Sequence, residues 1–122
     1  MANAINWFEI PASNLDRACN FYGNVLGIDV HIQEIQGIQM GFLHSGEDGV
    51  GGALVQGEGY VPTEDGSLIY LNGGEDLSGP LGRVEQAGGS VVLPKTQISE
   101  EIGYFAIFKD SEGNKLAFHS PN

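Results

Sequence analysis

Apolar and polar positions alternate with a period of two, switch to a period near four, and return to two, and the chain does this twice. In "INWFEIPA" the alternation puts Trp7, Glu9 and Pro11 on one face and Phe8 and Ile10 on the other. "SNLDRACNFYGNVLG" then repeats Leu15, Ala18, Cys19, Tyr22, Val25 and Leu26 at helical spacing, and Gly27 stops the helix. Ser13 with Asp16 reads as its capping box. "IDVHIQEI", "IQMGFLHS" and "VGGALV" read as strands, with Gly37 in the first turn. The glycines of "GVGGALV" precede no phosphate-binding helix and read as a strand closely approached by another backbone.

"QGEGYVPTEDG" breaks the pattern with glycine, proline and acids, and residues 57–66 read as a linker. After it the order returns. "SLIYLN" is a strand, and "EDLSGPLGRVEQAGG" is a helix with Leu77, Leu81, Val84 and Ala87 on one face. "SVVLP", "YFAIFKD" and "KLAFHS" are strands, the last two joined by a "DSEGN" turn. A shift of 62 positions lays Leu15 on Leu77, Cys19 on Leu81, Tyr22 on Val84 and Gly27 on Gly89. The fold class that follows is α+β, a single domain over 1–122 built of two βαβββ modules, 1–56 and 67–122. One such module has a helix on one sheet face only. Two side by side make a curved, mixed eight-stranded sheet with helices on the outer face and a concave cavity. A ferredoxin-like sandwich is the competing arrangement, and three strands after each helix favour the duplication.

Composition narrows the partners. The net charge is −11, with only Arg17, Arg83, Lys95, Lys109 and Lys115 opposing sixteen acids. Nucleic acid and anionic membranes are disfavoured, and a neutral or cationic small ligand is the easier partner. No apolar run approaches membrane-spanning length and the start shows no signal peptide, so a cytoplasmic location is expected. One cysteine makes neither an internal disulfide nor a zinc framework, and Cys19 falls on the core face of its helix.

The motifs "FEIPASNLDRACNFYGNVLG" and "GGSVVLPKTQISEEIGYFAIFKDSEGNKLAFHS" resemble the vicinal oxygen chelate superfamily, which includes glyoxalase I, extradiol dioxygenases and bleomycin resistance proteins. The resemblance covers nearly the whole chain and implies the duplicated fold, a cup for a small molecule and a homodimer. It also implies divalent-metal ligands on strands of both halves. Those positions fall here on Trp7, on Gly52 or Ala53, on Ile69 or Tyr70, and on Ala117. The usual metal site is therefore expected to be absent. No Arg or Lys lies on the cavity face of the first strand to hold glutathione carboxylates, and Arg17 and Arg83 read as solvated.

Glu9 shares a face with Trp7, and His119 with Ala117, so both are expected to look into the cup as the candidate catalytic pair. Three readings stay open for them. They form polar ligand contacts or an acid–base pair. They join His44 in a relocated divalent-metal site. Or they bond each other or the backbone to satisfy a buried polar need. Trp7, His44, Tyr60 and Tyr70 are candidate ligand-binding residues. Met40, Phe42, Phe105 and Ile107 read as plain core, and His31 as exposed. Two functions compete: a metal-free, drug- or metabolite-binding protein of the bleomycin-resistance kind, taking a cationic or aromatic ligand, and a lyase or isomerase of small carbonyl compounds, or a dioxygenase.

Overall fold

A computed structural model describes residues 3–44 and 46–122. Met1, Ala2 and Ser45, which ended a predicted strand, lie outside the described residues. The element order is β1 (Phe8–Pro11), α1 (Leu15–Leu26), β2 (His31–Ile35), β3 (Ile38–Leu43), β4 (Gly52–Gln56), then β5 (Tyr70–Asn72), α2 (Ser78–Arg83), β6 (Ser90–Ser99), β7 (Gly103–Lys109) and β8 (Lys115–Ser120). The βαβββ order thus occurs twice. The strands form two four-stranded mixed sheets, ordered β1-β4-β3-β2 and β5-β8-β7-β6. In each, the first strand runs parallel to the last of its module and the other pairings are antiparallel.

Alternation gives each sheet two unlike faces. Ile10, Leu43 and Leu54 of the first and Leu71, Ala106, Phe108, Leu116 and Phe118 of the second belong to one buried cluster with Leu15, Ala18, Cys19, Phe21, Tyr22 and Val25 of α1 and Leu77 and Val84 flanking α2. The helix-side faces of both sheets therefore share a single core. Phe21 of α1 stacks at 6.2 Å on Phe108 of β7, which stacks at 4.6 Å on Phe118. The other face of each sheet points away from this core.

Polar groups lock the modules together. Tyr22 donates to Asp110 at 2.6 Å inside the protein, which raises the tyrosine pKa through burial and the adjacent carboxylate. Asn114 donates to the Pro11 carbonyl at 2.7 Å and to Asp110 at 3.0 Å. The carboxylate of Glu112, its side chain fully buried, accepts from the Ser13 and Asn14 backbone N–H groups at 3.0 and 2.8 Å and from Arg17 Nε at 2.6 Å.

Several expectations are corrected. The cap of α1 is Asn14, which accepts from Arg17 N, rather than a Ser13–Asp16 box. Ser13 is diverted because Glu112 binds both its N–H and its hydroxyl. Arg17 is paired with Glu112. Arg83 donates twice to the Val25 carbonyl, at 3.1 and 2.9 Å, and supplies the cation that the last turn of α1 lacks. The second helix keeps only Ser78–Arg83, since Gly79 and Gly82 weaken it; Asp76 accepts from the Ser78 N–H at its start. Strand β6 runs past Pro94 to Ser99, with register shifts against β7 around the proline. Gly27 closes α1 at φ 68°, and Gln36 with Gly37, at φ 51° and 80°, makes the tight β2–β3 turn.

Candidate functional site

The outward face of the first sheet is built from one cross-strand row and its neighbours. Glu9 of β1 lies opposite Ala53 of β4, Ala53 opposite Phe42 of β3, and Phe42 opposite His31 of β2. Small Ala53 is fully covered between its larger neighbours. Trp7, next on the same face, meets Phe42 with ring centroids 6.2 Å apart, and Phe42 stacks on His44 at 6.0 Å. Tyr60 comes from the irregular segment after β4 and donates its hydroxyl to Glu9 at 3.1 Å. The Trp7 indole N–H points at the other Glu9 oxygen at 3.4 Å. The result is one carboxylate held by an indole and a phenol, with the Phe42 ring behind the indole. The bond to Glu9 raises the Tyr60 pKa, so the phenol stays protonated as the donor.

The second sheet has the equivalent row. Asn72 of β5 lies opposite His119 of β8, His119 opposite Phe105 of β7, and Phe105 opposite Thr96 of β6. Tyr70 lies beside Phe105 at 6.4 Å. His119 Nε2 lies 2.7 Å from the Ile102 carbonyl. A carbonyl only accepts, so Nε2 carries the proton and Nδ1 is the acceptor of the neutral ring. A depression of about 810 Å³ runs along Tyr70, Asn72, Glu75 and His119.

The candidate residues thus fall into two groups. Trp7, Glu9 and Tyr60 are joined, with His44 reached through Phe42. Tyr70 and His119 share the second face. Glu9 bonds Trp7 and Tyr60, whereas His119 meets a backbone carbonyl, and the shared core separates their faces. Glu9 is exposed rather than buried. Met40, Phe42, Phe105 and Ile107 are corrected from plain core: they are half-buried on the outward faces, outside the core cluster. His31 is exposed. What the sequence reading missed is the role of Phe42 as the bridge between Trp7 and His44. Its place on the face of Trp7 was readable from alternation, but the contact was not.

The positions that the resemblance assigns to metal ligands do not fit a divalent ion. They carry an indole at Trp7, no donor at Gly52 or Ala53, an alkyl chain or a phenol at Ile69 or Tyr70, and a methyl group at Ala117, where carboxylate and imidazole donors are needed. Among the described residues no group of three His, Cys, Asp or Glu is arranged to hold a metal, and no helix is long and apolar enough to cross a membrane.

The family model described as "Glyoxalase/Bleomycin resistance protein/Dioxygenase superfamily" matches residues 4–118. A search of curated protein sequences finds no match. Among solved structures, the antibiotic-binding protein TnmS3 from Streptomyces sp. CB03234 is 24% identical, with 100% of this chain and 99% of that one covered at a TM-score of 0.72. Glyoxalase I from Zea mays is 14% identical over 94% of this chain and 43% of its own length, with the same TM-score of 0.72. The hypothetical protein SA1046 from S. aureus is 23% identical, with 98% of each chain covered at a TM-score of 0.65. At these identities the structures speak for the fold. With the family model spanning nearly the whole chain, the protein belongs to the glyoxalase/bleomycin resistance protein/dioxygenase superfamily.

Proposed function

We propose that this protein is a non-catalytic binder of a small cationic, aromatic molecule, held on the outward face of the first sheet. The observation that carries this reading is the Glu9 carboxylate, held between Trp7 and Tyr60 by hydrogen bonds from the indole and the phenol, with Phe42 packed on Trp7. A cation over aromatic faces beside a carboxylate gains both cation–π and charge-assisted contacts. The charge of −11 draws such a ligand in. The likeness in fold to an antibiotic-binding protein is consistent with this use. In this reading modules 1–56 and 67–122 form one domain, and a second copy of the chain completes the cup. The second copy would set the Tyr70–His119 face of one chain beside the Glu9 face of the other. β1 and β5 are both edge strands, which supports the pairing. The lone buried Cys19 suits the reducing cytoplasm.

The chain has a single tryptophan, so its fluorescence reports on the site directly. Titration with a cationic aromatic probe such as ethidium should quench Trp7 saturably, and Glu9→Gln should weaken binding about tenfold, roughly one charge-assisted contact. Equal affinity in Glu9→Gln would sink the proposal.

A second reading is favoured by the His119 geometry. With Nε2 fixed on the Ile102 carbonyl, Nδ1 is an available base over the second-face depression. Lyase or isomerase activity on a small carbonyl compound that disappears in His119→Gln would support it.

A further inference from the structure

The depression along Tyr70 and His119 is not the only concavity. A cleft of about 850 Å³ opens where the start of β1 and the end of α1 meet the stretch leading into β5. Its apolar wall is made by Phe8, Leu26, Ile28 and Leu43 from the first module and Leu68 and Ile69 from the second. Phe8, Leu43, Leu26, Ile28 and Ile69 belong to or pack against the shared core, so this wall is on the interior side of the sheets, while Tyr70 and Asn72 at its edge also border the second-face depression; Trp7 and Glu9 do not line it. Its volume is within the range of small-ligand sites.

The lining has a notable chemistry for this chain. Among the described residues around the cleft there is no Asp, Glu, Lys or Arg, although the whole chain carries 16 acids. The polar side chains there are uncharged or imidazole, on Asn3, His44, Ser67, Tyr70 and Asn72. A cation would find no carboxylate there, and an anion would meet the repulsion of the surrounding negative charge. A neutral apolar molecule faces neither cost, and it would remove the apolar wall from water. We infer that the cleft between the modules is a second ligand site, specific for a neutral, mainly apolar molecule with one hydrogen-bonding group. It is distinct from the cation-binding face. Ligand there would contact both modules at once and tighten their packing.

The test uses the full chain and N-phenyl-1-naphthylamine, an uncharged probe whose fluorescence rises in apolar surroundings. Saturable binding of one probe per chain is expected. Val50→Glu places a charge in the lining from a half-buried loop position and should weaken the probe at least tenfold. Ser67→Trp, at an exposed position, should block the cleft if Val50→Glu fails to fold. Glu9→Gln should leave the neutral probe within twofold while weakening a cationic one. Absence of saturable binding overturns the inference. So does a probe that responds to Glu9→Gln and ignores both cleft variants. Exclusion of the probe as the protein self-associates would assign the cleft to a second copy, and also overturns it.

Discussion

Glu112→Gln tests how the two modules are held. Glu112 sits in the β7–β8 turn, yet its fully buried carboxylate takes the N–H groups of Ser13 and Asn14, just ahead of α1, and the Arg17 guanidinium. These contacts hold its pKa down to about 2 from an ordinary 4.5, against the opposing cost of burial. A depression of that size corresponds to roughly 3 kcal/mol. Arg17 is about half exposed, at 52%, and solvent screens part of that. The neutral amide also keeps shape and some acceptor capacity, so a loss of about 2 kcal/mol at pH 7 is expected. The folded pKa lies below the unfolded one. The contribution is therefore complete above about pH 4.5 and fades as pH falls toward 2. Urea unfolding of wild type and Glu112→Gln should show a gap of about 2 kcal/mol at pH 7, closing between pH 4.5 and pH 2. A gap under about 0.5 kcal/mol at pH 7, within ordinary surface-substitution noise, would refute the reasoning. So would a gap that does not change with pH.

Three further outcomes are expected. Gly41→Ala would set a methyl 2.6 Å from Cys19 Sγ and 3.0 Å from Val30, costing about 1–3 kcal/mol by urea unfolding, and Cys19→Ala in the same chain should recover part of it. Tyr22→Phe removes the 2.6 Å bond to Asp110 and should cost about 1–3 kcal/mol in the same assay, leaving the Asn114 contacts to carry that carboxylate. Burial pushes the Cys19 thiol up to about 11, so iodoacetamide at pH 8 should label native protein far more slowly than urea-unfolded protein, as read by mass spectrometry.

Much of the fold was legible in the sequence because period-two and period-four patterns are local. The repeated order, α1 with its Gly27 stop, and the turn at 110–114 follow from residues a few positions apart. The capping of α1 did not, because Glu112 binds Asn14 across 98 positions and no local pattern records that bond. The length of β6 was hidden by Pro94, which a strand tolerates at a bulge but which reads as an end. At the candidate site, alternation put Trp7 and Glu9 on one face. It could not say that Tyr60 would cross from an aperiodic segment to bond Glu9. Nor could it say whether the Glu9 and His119 faces meet within a chain, since alternation fixes a face but not what stands opposite it.

The single core shared by the two sheets carries a consequence for how the duplication behaves. In sequence there are two copies of one unit, but neither copy owns its interior: Phe21 from the first lies on Phe108 of the second. Half a chain would expose that surface and stay unfolded or seek a complement. A polypeptide cut within 57–66, by contrast, keeps every interior contact, so its halves should find each other and rebuild the whole. The repeat is thus a unit of ancestry, and the pair is the unit of cooperativity.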